Sequence, residues 1–236
     1  MTEGQKQDKT CGSDTGIAVI FDVDGTLLDS LDVWDKAPDM YLRSQGREPE
    51  ALLGKKLFAM SMEEGSRYLK TAYQLEKRPE EILGDVLKII TRFYREEASL
   101  KPGAEAFLRT LAHRKIKMAA ATTSDRELVE AAFVRLGIRG YFENIVTCTE
   151  VGAGKENPAV YYAACKRLGA SPEHTWVFED AFHALSTAKK AGFLTCGVYD
   201  SYHGRTEWEK LCSAADFYME RLDAEAFFAV SGSKTF

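Results

Sequence analysis

Apolar residues run unbroken from 17 to 21, the length of one fully buried strand. Past Ser30 the apolar spacing turns helical and stays so for about 70 residues. Within "PEEILGDVLKIITRFYREE", Ile82, Leu83, Val86, Ile89, Ile90, Phe93 and Tyr94 recur at helical intervals. Pro79 stands where a first-turn proline belongs, and Glu80 and Glu81 suit the positive end of the helix dipole. "SMEE", residues 61–64, has the spacing of a capping box for another helix. No strand-like run interrupts this stretch, so an all-helical block is expected.

"KPG" at 101–103 breaks the chain, and helices then alternate with short apolar strands. Strands are expected at 116–121, 145–148, 176–178 and 194–199, with a last short one at 216–219. The intervening helices fall at 104–113, 126–136, 159–168 and 182–191, and "SDRE", 124–127, matches a second capping box. The opening strand belongs with this alternating part. The fold class is therefore α/β: a core of parallel strands interrupted after its first strand by a helical insertion. The boundaries read as a polar leader over 1–15, a core over 16–29 and 101–236, and an insertion over 30–100, with linkers near 28–31 and 100–103.

Composition narrows the partners. With 45% hydrophobic residues, the 236-residue chain can bury a substantial core, and a net charge of −5 argues against general affinity for nucleic acid or an anionic membrane. The start, "MTEGQKQDKTCGSDTG", lacks the apolar segment of a secretory signal and reads as disordered. No apolar run approaches the roughly 18 residues of a spanning helix. A soluble, cytoplasmic protein is expected, monomeric or weakly dimeric. Five scattered cysteines without CxxC spacing read as structural thiols, and the four histidines show no ligand spacing.

In a parallel sheet the loops at the carboxyl ends of the strands share one edge, where ligands bind. The first strand delivers Asp22 and Asp24 there, and the next ends in "ATTSD" with Thr122, Thr123 and Ser124. "EVGAGKENP" then brings Lys155, and "VFEDA" brings Glu179 and Asp180. Four clustered carboxylates need a counter-charge, which a hard divalent cation such as Mg²⁺ supplies. Hydroxyls, turn amides and a lysine suit phosphate. One aspartate can act as nucleophile while its neighbour two residues on handles a proton. Gly25 permits a tight turn that the Thr26 hydroxyl can lock.

"FDVDGTLLDS", "ATTS", Lys155 and "FED", in that order and with a helical insertion after the first, resemble the four motifs of the haloacid dehalogenase (HAD) superfamily from about residue 17 to 223. The resemblance implies a Rossmann-like core with an α-helical cap and a Mg²⁺-dependent phosphatase acting on a small phosphorylated metabolite. It implies Asp22 as the nucleophile that forms an aspartyl-phosphate, and Asp24 as the general acid and then base. Thr122, Thr123 and Lys155 would hold the phosphoryl group. Mg²⁺ would sit among Asp22, the backbone carbonyl of Asp24, Asp180 and Glu179.

Two departures stand out: "KENP" replaces the family's Lys-Pro-x-Pro, and Ala181 and Ala184 replace a serine and a glycine of the fourth motif. A sugar-phosphate mutase of the beta-phosphoglucomutase type is the nearest alternative. DGT, where those enzymes often have DGV, favours the phosphatase. A non-catalytic binding protein of the same fold is a further alternative.

Asp29 and Ser30 read as turn and helix cap, Asp125 as a helix start and Asp200 as a structural loop acid. In the insertion, Lys55, Lys56 and Trp34 are the candidates for contacting the substrate, against a solvated face for the lysines and plain packing for the tryptophan.

Overall fold

The structure, a computed structural model, describes residues 16–58 and 60–231. The leader read at 1–15, with Cys11, lies outside the described residues. Six parallel strands form one sheet: β1 (Ala18–Phe21), β4 (Lys117–Thr122), β5 (Asn144–Thr147), β6 (Thr175–Glu179), β7 (Leu194–Val198) and β8 (Phe217–Met219). Their order is β5-β4-β1-β6-β7-β8. The chain leaves β1 to build one half of the sheet and returns to build the other, so β1 is the switch point at whose carboxyl end a crevice opens.

β1 is buried throughout because helices cover both faces. Val19 and Phe21 join Phe107 of α5 (Ala104–His113), Phe133 of α6 (Arg126–Arg135) and Phe227 of α11 (Ala224–Ser231). Ala18 and Ile20, alternating to the other face, pack with Val160, Ala164 and Leu168 of α8 (Ala159–Leu168) and Ala188 of α9 (Phe182–Lys190). A short α7 (Cys148–Val151) follows β5, and α10 (Gly204–Ala214) precedes β8.

Between β1 and β4 lies the helical cap: α1 (Leu31–Ser44), α2 (Leu53–Phe58), α3 (Met62–Ala72) and α4 (Pro79–Glu96). Ser61 and Glu64 close the capping box that starts α3. In α4 the residues buried are Ile82, Val86, Ile90 and Tyr94, a four-residue repeat that aims one stripe inward and brings Tyr94 to its core-ward end. Two linkers cross between cap and core, and they pair: β2 (Leu28–Asp29) runs antiparallel to β3 (Ser99–Leu100). Among the described residues, β3 departs from the all-helical reading of 30–100 and is too short to leave a period; β2 lies just ahead of that block. Among the described residues no helix is long and apolar enough to cross a membrane.

Candidate active site

Asp22 continues β1 beyond Phe21, its amide donating to the Phe178 carbonyl at 2.9 Å, which sets it beside the end of β6. There Glu179 and Asp180 follow, and ligand oxygens of Asp22, Glu179 and Asp180 lie within 4.8 Å of one another. All three residues are buried. Lys155, from the loop after α7, reaches in and donates to Asp22 Oδ1 and, at 2.6 Å, to Glu179 Oε1. Burial alone would lower the Lys155 pKa, but the two carboxylates override it and raise it, so the ammonium stays charged. Burial pushes the Asp22 carboxyl well up, and Lys155 only partly opposes this against the neighbouring acids. Glu179 is raised by burial in the same way.

Asp180 differs. Burial would raise it, but His203 and Lys155 hold it below the ordinary carboxylate range, helped by Thr26. Its Oδ2 lies 2.7 Å from His203 Nε2, and its Oδ1 accepts from Thr26 Oγ1 at 2.9 Å. The turn before Thr26 needs glycine twice over. Gly25 has φ +83°, and a Cβ there would stand 2.3 Å from Asp180 Oδ2. The Thr26 hydroxyl thus ties the first motif to the fourth.

Three hydroxyls converge on Asp24. Ser30 Oγ and the Tyr94 hydroxyl each donate to its Oδ1 at 2.5 Å, and Ser124 Oγ donates to Oδ2 at 2.6 Å. Two expectations are corrected here. Ser124 does not cap α6, whose N-cap residue is Asp125; and Ser30, at the N-cap position of α1, makes no capping bond. In both cases the serine O–H donates to the Asp24 carboxylate in a charge-assisted bond, and no helix amide donates to the serine oxygen.

These groups line a cleft of about 860 Å³ between cap and core. Asp22, Asp24, Thr123, Ser124, Lys155, Glu179 and Asp180 line it from the core, and Trp34, Asp35 and Lys55 from the cap. Trp34, Asp35 and Met62 also border a mostly apolar cavity of about 250 Å³ inside the cap. Thr122 is fully buried and its hydroxyl accepts from the Ser124 amide, shaping the turn without lining the cleft. Lys56 is turned away, donating to Glu50 at 2.9 Å and to the Tyr68 hydroxyl at 2.5 Å, so of the cap lysines Lys55 alone lines the cleft.

The acids fit a hard divalent cation. Three carboxylates converge, one lysine offsets part of their charge, and Glu179 Oε2 is buried with no hydrogen-bond partner. Tyr161 supports this residue from behind, donating to Glu179 Oε1 at 2.7 Å. Tyr94, Tyr161 and His203 also belong to the site, and no sequence motif marks them. The sequence places Tyr94 on the apolar stripe of α4 but gives no sign of where its hydroxyl points. Cys148, Cys165 and Cys196 are buried free thiols that burial pushes up in pKa, in keeping with structural roles. Asp200 is structural as read, paired with Lys101 at 2.5 Å and accepting from the Tyr202 amide.

Residues 18–192 match the haloacid dehalogenase-like hydrolase family. A phosphorylated carbohydrates phosphatase of Thermotoga maritima is 30% identical over 198 residues, spanning 84% of this chain and 90% of the relative. Among solved structures, the Thermotoga maritima protein called "putative beta-phosphoglucomutase" superposes with a TM-score of 0.78 at 26% identity, covering 92% of this chain and 99% of that one. CbbY from Rhodobacter sphaeroides in complex with phosphate reaches a TM-score of 0.69 at 24% identity over 88% of this chain and 95% of its own, a likeness of fold.

Proposed function

This chain belongs to the haloacid dehalogenase-like hydrolase family, and we propose that it is a Mg²⁺-dependent phosphatase that hydrolyses a small phosphorylated metabolite through an aspartyl-phosphate intermediate. The observation that carries the reading is the pairing of Asp22 and Lys155 in the cleft, beside Glu179 with its unpartnered buried oxygen. A carboxylate and a lysine held together at a shared edge suit a nucleophile whose target carries negative charge. The similarity to a phosphorylated carbohydrates phosphatase supports a phosphate ester as that target.

Asp22 attacks phosphorus, forming a new P–O bond as the ester P–O bond breaks. Asp24 gives its proton to the departing alcohol oxygen. It then takes a proton from water, which attacks the acyl phosphate, frees inorganic phosphate and regenerates the Asp22 carboxylate. Lys155 and Thr123 hold the phosphoryl oxygens during both steps, and Thr122 keeps the turn that presents them. When bound by Asp22, Asp180, the Asp24 carbonyl and Glu179, Mg²⁺ supplies positive charge to offset that of the phosphate and the acids. Trp34 and Lys55 on the cap wall meet the leaving group and take part in choosing it.

The test is Asp22→Asn with p-nitrophenyl phosphate and Mg²⁺. Turnover should vanish while the melting temperature stays within a few degrees of the parent. Full activity in that variant would remove Asp22 as nucleophile, and complete inactivity of the pure, metal-loaded parent would favour a binding protein. A sugar-phosphate mutase is the second reading, favoured by the 26% identity and shared fold with the Thermotoga maritima structure. Incubating sugar phosphates with the protein and resolving the products separates the two, since a mutase returns an isomer and a phosphatase returns free sugar.

A further inference from the structure

Tyr94 sits on the cap, 70 positions along the chain from Asp24, yet its hydroxyl donates to Asp24 Oδ1 at 2.5 Å. The repeat Ile82, Val86, Ile90, Tyr94 explains how the ring arrives there: it ends the buried stripe of α4. Burial of the ring would be satisfied by any apolar residue. What a tyrosine adds is one O–H at a fixed distance from a rigid ring. That hydroxyl is itself held, since Trp34 Nε1 donates to its oxygen at 3.3 Å and Ser124 Oγ lies 3.4 Å away. Burial, reinforced by Asp24, keeps the phenol pKa well above its ordinary value, so the group remains a donor. Ser30, the residue ahead of α1, and Ser124, in the turn after β4, also donate to Asp24, so among the described residues Tyr94 is the donor that lies within a cap helix.

We propose that Tyr94 is a positioning residue for the acid–base step: its hydroxyl fixes the rotation of the Asp24 carboxyl so that the proton is delivered to the leaving oxygen. The proposal rests on the reading of Asp24 as the general acid. A carboxyl free to turn about its side-chain bonds would spend less time in line with that oxygen. Small misplacements of a reacting group are costly to rate while leaving binding nearly untouched.

The test compares Tyr94→Phe with the parent on two esters, an alkyl phosphate and p-nitrophenyl phosphate, through kcat/KM. That ratio covers only the steps up to release of the alcohol. An alkoxide needs a proton to leave; p-nitrophenolate does not. For the alkyl ester, kcat/KM should fall by about ten- to hundredfold. For the aryl ester it should stay within about threefold, and the affinity for vanadate should be unchanged. Equal losses on both esters would mean only a loosened cap and would overturn the proposal, as would no loss on either. Asp24→Asn is the control: a larger selective loss there with none in Tyr94→Phe removes Tyr94 alone. No selective loss in Asp24→Asn removes the general-acid reading itself. Should Tyr94→Phe fail to fold, Tyr94→Met keeps an apolar side chain on the same stripe of α4 without the hydroxyl. The same selective loss on the alkyl ester supports the proposal there, and an unchanged ratio of esters overturns it.

Discussion

Lys155 stands between two acids that burial would otherwise discharge, and its ammonium is the one protein cation hydrogen-bonded to both Asp22 and Glu179 among the described residues. Taking it away leaves buried carboxylates without a partner, which costs far more than the pair contributes when intact. Lys155→Met should therefore lose about 3–5 kcal/mol of stability in metal-free buffer at neutral pH, read by urea unfolding. Added Mg²⁺ should restore part of it, because the cation re-supplies the missing charge. An unchanged unfolding midpoint would mean that the acids shed their charge at little cost. The acids themselves were legible because each directly follows an apolar strand, and parallel strands bring their ends together. The roles of Ser30 and Ser124 are not legible because a serine ahead of a helix can accept from the local amides or donate to an acceptor that the fold brings near. Only the folded chain reveals Asp24 as that acceptor. His203 lies beyond any such reading, since its partner Asp180 is 23 positions away with α9 and β7 between them.

Elements with a clear period are legible in the sequence to within a residue or two, and those without one are not. α4 has a strong apolar stripe and a first-turn proline, and α3 has its capping box. By contrast α10 buries only Leu211, and α11 is apolar on nearly every side, so neither shows the one-sided spacing that marks an amphipathic helix. β2 and β3 are two residues each and form only because the linkers run side by side. The α3 box gives a prediction at this scale. Ser61 Oγ accepts from the Glu64 amide at 3.2 Å while Glu64 Oε2 accepts from the Ser61 amide at 2.9 Å. Ser61→Ala should cost about 1 kcal/mol, the usual loss for an N-cap. Hydrogen exchange should report it locally, with faster exchange in the first turn of α3 and unchanged protection in β1 and β6. Equal acceleration throughout the chain would show that α3 does not open on its own.

The cap and the sheet share one apolar interior: Leu42, Leu69 and Ile82 of the cap belong to the same buried cluster as Phe21, Phe107 and Phe178 of the core. Polar contacts cross the cleft as well, with Tyr94 on Asp24 and the Tyr202 hydroxyl donating to Asp35 of α1 at 3.1 Å. A chain joined in this way should unfold as one cooperative unit although its sequence reads as two blocks. The acid cluster draws on β1 and β6, central strands that are lost only when that whole unit opens, so a cation bound there opposes global unfolding. At a hundredfold excess over its dissociation constant, a ligand of the folded state adds about 2.7 kcal/mol. For a chain of this size each kcal/mol moves the midpoint by roughly 2–4 °C, so Mg²⁺ should raise it by roughly 5–11 °C over a chelator-treated sample. Calorimetry should show a single peak that moves intact, and Asp180→Asn should abolish or greatly reduce the shift. A second peak that stays in place on adding Mg²⁺ would mean that the cap melts independently, with Tyr94 then free to leave Asp24 before the core opens. A single peak unmoved by Mg²⁺ would mean that Lys155 already satisfies the acids and that no cation binds among them.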